Sequence, residues 1–204
     1  MSRCFRAVVF AAALPRKIWN KALNLLTSAL FGHRIIVDWT DARILNAARI
    51  QFQGSFQAGR GLWLQAIGDR GHIEIGDGAR LSDLVHVGAV GRLRIGRNVL
   101  IGSKVLIIDH SHGHGYHAAP DELRIPPGDR VLASRGDITI GDNVWLADSV
   151  IVLAGVTIGD NCVIGAHSLV RHNLPPNSVC AGNPARVLYT HDASGGSADA
   201  IPQP

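Results

Sequence analysis

Asp109, His110 and His112 fall within four residues, and His114, His117 and Asp121 follow closely. Histidine titrates near neutrality. A well-placed imidazole can take a proton from a weakly acidic hydroxyl in a transition state, a contribution of typically about 10²–10⁴-fold. A carboxylate beside it can orient the ring and support its cationic form. Residues 110 and 112 point to one side of an extended segment, so both can face one cleft. No Ser or Cys stands in a GxSxG-type nucleophile turn. Proton transfer therefore suits this cluster better than covalent catalysis.

The cluster interrupts a regular beat. Ile140, Leu146, Val152, Ile158, Ile164 and Val170 recur every six residues, with small or β-branched Val144, Val150, Val156, Cys162 and Ser168 between them. Ile75, Leu81 and Val87 keep the same spacing, and Ile95, Ile101 and Ile107 resume it after a two-residue slip near Gly91. Six is neither a helical period nor a strand alternation. It marks a chain that turns a corner every hexad, so that three hexads close one triangular coil. The aliphatic residue points to the coil axis, and Gly, Ala, Asp and Asn supply the corners because they tolerate tight or left-handed backbone. Stability then accumulates along the stack. Between Ile107 and Ile140 the beat is lost for about 27 residues, which predicts a loop insertion at 109–137 carrying Arg124, Arg130 and Arg135 besides the histidines.

The 204 residues suffice for one core, and low charge (18%), few aromatics (5%) and 23 glycines suit a β solenoid. A net charge of +4 without a long basic run gives nucleic acid little to bind. Cys4, Cys162 and Cys180 lack metal spacing and read as reduced thiols in the cytoplasm, Cys162 at an inward position. Residues 1–40 form an N-terminal helical segment, with one or two helices over 5–31. Ile18, Trp19, Ala22, Leu23, Leu25, Leu26 and Leu30 fall near helical spacing. It packs on the solenoid end or on a neighbouring chain, or lies on the inner membrane surface as a peripheral contact. Residues 41–188 form the solenoid. Within 41–74, Ile44, Ala48, Ile50, Phe52, Phe56, Leu62, Leu64 and Ile67 point inward in one or two loose coils. The tail 189–204, rich in Ser, Gly, Ala, Asp and Pro, reads as disordered.

The hexads IGDNVW, LADSVI, VLAGVT, IGDNCV and IGAHSL over 140–169 run into VRHNLPPNSVCAGNPARVL. This resembles the hexapeptide-repeat acyltransferases, left-handed parallel β-helices, over roughly residues 60–188. Within them it is similar to the maltose, galactoside and nodulation-type O-acetyltransferases and their polysaccharide-modifying relatives. The resemblance implies acetyl-CoA as donor, a sugar hydroxyl in surface polysaccharide assembly as acceptor, a homotrimer with sites between subunits, and no metal. In similar enzymes a histidine follows an IGxN hexad as catalytic base. Counting from Ile95 gives His112, while polysaccharide-type members show a DH pair, here Asp109–His110. His112 is placed first and His110 second. The resemblance puts Trp145 near the same cleft, against the acceptor sugar or the pantetheine arm, backbone around Ala147, Asp148, Gly165 and Ala166 along the pantetheine, and Arg171 and Arg186 at the coenzyme A phosphates. Arg171–His172 replaces the Thr-Lys of many relatives, so the phosphate contact differs there. Two rival readings stay open. One is zinc chemistry as in γ-type carbonic anhydrases, through His86, His112 and His117. The other is a non-catalytic scaffold.

Overall fold

In a computed structural model, residues 3–113, 124–191 and 197–198 are described. The solenoid is a left-handed parallel β-helix of about six coils with three flat faces. Face one stacks Ile35–Val37, Phe56–Ala58, Ala79–Leu81, Leu100–Ile101, Trp145–Leu146, Val163–Ile164 and Ser178–Gly182. Face two stacks Arg43–Leu45, Trp63–Ala66, His86–Ala89, Leu106–Ile108, Ile151–Val152 and Leu169–Val170. Face three stacks Ile50–Phe52, His72–Ile75, Arg92–Ile95, Ile138–Ile140 and Thr157–Ile158.

The hexad positions build the core. Ile140, Leu146, Val152, Ile158, Ile164 and Val170 are all at most 1% exposed, and so are Val144, Val150, Val156, Cys162 and Ser168. In the paired register Leu64, Val87, Ile107, Val152 and Val170 form one inward column on face two. Each coil hides its apolar edge only against its neighbours, which is why the end coil is less regular. Ile44 aligns with Leu64 yet remains 38% exposed, because no coil lies beneath it. Ala48 is exposed and Ile67 half-buried, so the inward set expected for 41–74 holds for Ile50, Phe56, Leu62 and Leu64, with half-buried Phe52 packed against the same core.

The corner residues divide their work. In IGxN hexads the asparagine takes the left-handed conformation, as Asn98, Asn143 and Asn161 do with φ of 54°, 57° and 60°. Gly96, Gly141 and Gly159 do not. They are glycine because a Cβ at Gly141 would stand within clash distance of Asp160 Oδ1, and one at Gly159 would meet the Pro176 backbone. The expectation that glycine serves corner curvature is corrected at this second position, where it serves close stacking of coils; Gly78 and Gly155, at the fourth position, do turn the corner with φ of 77° and 76°. Aspartates then brace the coil below. Asp142 Oδ1 accepts the Arg97 N–H at 2.8 Å, Asp148 Oδ1 that of Ser103 at 2.7 Å, and Asp160 Oδ1 that of Asp142 at 2.8 Å. Asn143, Asn161 and Asn177 form a parallel amide ladder with N···O of 2.9 and 2.8 Å.

One helix, α1 (Arg3–Phe31), covers the first strand, with Pro15 inside it. Its inward face is polar. Asn24 accepts the Val37 N–H at 3.0 Å and donates to Val37 O at 3.2 Å, while the Ser28 hydroxyl does the same for Ile35 at 2.9 and 3.1 Å. The strand that starts the solenoid, Ile35–Val37, lies ahead of the boundary read at residue 41. Face one ends with Ala185–His191 pairing antiparallel to Ser178–Gly182, so the segment read as a loose tail begins as strand, and Ser197–Ala198 pairs with Thr190 and His191. Residues 192–196 and 199–204 lie outside the described residues.

Candidate functional site

The insertion leaves the prism at the edge between faces two and three. It departs after Leu106–Ile108 and returns at Ile138, and its described part is a hairpin of His110–His112 against Leu132–Ser134. Asp109, the first residue of the departure, is fully buried. Its Oδ1 accepts the Val90 N–H at 2.8 Å and its Oδ2 the Gly91 N–H at 2.7 Å, so the carboxylate fills the two-residue slip in the coil below. Oδ1 also lies 3.0 Å from His110 Nδ1. A carboxylate so engaged is an acceptor. Nδ1 therefore donates to it, and Nε2 is the ring nitrogen that the carboxylate leaves unengaged.

His110 lies over face two, where Gly88 leaves it room: a Cβ there would come within 3.1 Å of His110 Cε1. On the neighbouring coil the His86 ring stacks on Trp63 at 4.1 Å and 7°, and its Nε2 lies 2.8 Å from Gln65 Oε1. Burial, with the nearby His110 adding repulsion, lowers the pKa of His86. It is thus held neutral beside the candidate base.

His110 and Ser111 open onto a cleft of about 400 Å³ walled by Ile108, Ala133, Leu153, Ala154 and Leu169, with Arg135, Arg171 and His172 as its basic side. His112 does not line it. Its side chain is exposed on the hairpin. The Asp109 carboxylate reaches only the adjacent ring, so the geometry brings His110, and not His112, to this cleft. His114, His117 and Asp121 lie outside the described residues.

The other expected residues separate along the prism. Ala147, Asp148, Gly165 and Ala166 occupy the edge between faces one and two. The Ala147 and Gly165 N–H groups are committed to Ile164 O at 2.9 Å and Cys180 O at 2.8 Å. Arg186, paired across from Ala181, belongs to that edge as well. Trp145 stands outward on face one, 48% exposed, between Leu100 and Val163. Of these residues, one chain brings only Arg171 to the His110 cleft. Leu153, Leu169 and Arg135 were missed as cleft residues. The hexad phase marks Leu153 and Leu169 as neighbours of inward positions, but only the route of the insertion tells which edge they share with His110.

Among the described residues, no group of three His, Cys, Asp or Glu is arranged to hold a metal ion. The buried thiols are poor nucleophiles: burial pushes Cys180 up to about 11 and raises Cys162, whose Sγ lies 3.0 Å from Pro175 O.

The family profile for bacterial transferase hexapeptide (six repeats) matches residues 137–172. A protein of Escherichia coli (strain K12) named as a lipopolysaccharide biosynthesis O-acetyl transferase, WbbJ, is 43% identical over 152 residues, covering 73% of this chain and 76% of that protein. Galactoside O-acetyltransferase of the same organism is 37% identical over 125 residues, covering 56% of this chain and 62% of the enzyme. The structure of the hexapeptide-repeat acetyltransferase VCA0836 of Vibrio cholerae, complexed with acetyl-coenzyme A, is similar with a TM-score of 0.53 at 26% identity, over 81% of this chain and 74% of that one. With the coils and their inward columns, these likenesses establish that the chain belongs to the hexapeptide-repeat acetyltransferases.

Proposed function

We propose that the chain transfers acetyl from acetyl-CoA to a sugar hydroxyl in surface polysaccharide assembly, with His110 as general base. The observation that carries this reading is the Asp109–His110 pair, a buried carboxylate on one ring nitrogen of a side chain that lines an open cleft. Acetyl-CoA supplies an activated acetyl thioester. The chain's residues suit it: Arg171 and Arg135 offer planar forks for phosphate, and Ile108, Leu153 and Leu169 offer an apolar wall. His110 Nε2 takes the proton of the attacking hydroxyl, and Asp109 steadies the imidazolium that results. Direct transfer is supported by the thiols, which are buried with raised pKa, and by Ser111, whose hydroxyl donates to Gly113 O at 2.9 Å.

The acceptor class rests on the relative named for lipopolysaccharide biosynthesis. A homotrimer fits the separated residues, since a second copy can bring its Trp145 and Arg186 edge opposite the His110 cleft. It also fits the outer surfaces. Face one shows Leu100, Trp145, Val187 and Leu188, all more than 40% exposed, whereas face three is lined by Glu74, Arg92, Arg94 and Asp137.

The test is acceptor-dependent release of coenzyme A with a panel of polysaccharides. His110→Ala lowers kcat by about 10²–10⁴-fold, and His112→Ala changes it less than about threefold. Equal rates for His110→Ala and the parent overturn the assignment.

A further inference from the structure

Helix α1 is amphipathic in an inverted sense. Its polar side chains Asn20, Asn24, Thr27 and Ser28 are turned inward, and Asn20, Asn24 and Ser28 hydrogen-bond the first coil. Its apolar side chains face away from the protein: Ile18, Trp19, Leu25, Leu26 and Leu30 are 62%, 63%, 65%, 55% and 73% exposed. Exposed Ala22 and Ala29 fill the gaps between them. A solvated surface helix has the opposite polarity, so this face is built to be covered.

Charge says by what. The helix carries Arg3, Arg6, Arg16, Lys17 and Lys21, and no Asp or Glu occurs before Asp38. Lys17 and Lys21 flank this face, beside Asn20, Asn24 and Ser28, so a second copy laid on it would bring like charges near one another. A negatively charged surface would not. Trp19 is the residue type that settles at the boundary of headgroups and hydrocarbon. Among the described residues, no helix is long and apolar enough to cross a membrane. The helix lies along the first strand, across the end of the prism rather than along its axis.

We propose that the outward face of α1 rests in the interfacial layer of an anionic lipid bilayer, seating the solenoid by its first-coil end. Apolar burial and attraction to acidic headgroups act together, and neither alone gives a stable seat. The seat does not depend on the acetyl-transfer reading.

Flotation of the full chain with vesicles tests it. The protein floats with phosphatidylethanolamine vesicles that contain phosphatidylglycerol and stays down with phosphatidylcholine alone. Lys17→Glu/Lys21→Glu weakens binding about fivefold or more per charge. Leu26→Ser/Leu30→Ser abolishes flotation with an unchanged Tm, since both side chains are exposed. Failure to float, or equal flotation with phosphatidylcholine alone, overturns the proposal. It is overturned equally if Leu26→Ser/Leu30→Ser lowers the oligomeric mass by light scattering without lipid, which would assign the face to a second copy.

Discussion

At the scale of residues, the candidate site is a matter of which imidazole the backbone holds still. Asp109 is fixed by two N–H groups from the coil below, and it passes that rigidity to His110 and to no other ring. Gly88 completes the arrangement by leaving space beneath the ring. Gly88→Ala therefore presses His110 out of register with the cleft. Its backbone conformation is ordinary, so the fold stays. The expected result is a kcat reduced about ten- to a hundredfold with Tm nearly unchanged. An unaltered kcat shows that His110 does not need its present position. From sequence, the types and the neighbourhood of Asp109, His110 and His112 were visible, and the choice between the two histidines was not. It turns on where the carboxylate finds its amides, at Val90 and Gly91 on an earlier coil, and such a contact leaves no local pattern.

At the scale of elements, the hexad was legible because its inward position repeats without exception from Ile140 to Val170. At its second position Gly141, Gly159 and Gly165 were legible as glycines but not as to cause. Coil stacking, rather than corner curvature, excludes a side chain there. Gly141→Ala sets a Cβ against Asp160 and forces coils apart, a destabilisation of about 1–3 kcal/mol by urea unfolding. Gly128→Ala is the control: nothing lies within 4 Å of the added Cβ, and the change there stays within about 0.5 kcal/mol. Similar losses at both positions would mean that glycine is needed for reasons other than stacking. The helix was legible as amphipathic, but its polarity was not, because sequence shows two faces without showing which one meets the protein.

At the scale of the whole molecule, the prism is a column of parallel strands, and any such column has two open ends. Antiparallel Ala185–His191 follows the last strand of face one. At the other end Asn24 and Ser28 occupy the N–H and C=O groups of Val37 and Ile35 as a neighbouring strand would. On face one the helix thus imitates one more strand while offering nothing for a further strand to pair with. A chain shortened to begin at His33 regains a bare parallel edge of the kind that invites strand addition. Such a protein is expected to grow end to end into fibres at high concentration, visible by electron microscopy, whereas Leu26→Ser/Leu30→Ser, which keeps Asn24 and Ser28, stays discrete. On face one, then, Asn24 and Ser28 end a repeat that could continue indefinitely, while Arg43–Leu45 and Ile50–Phe52 are the end strands of the other two faces.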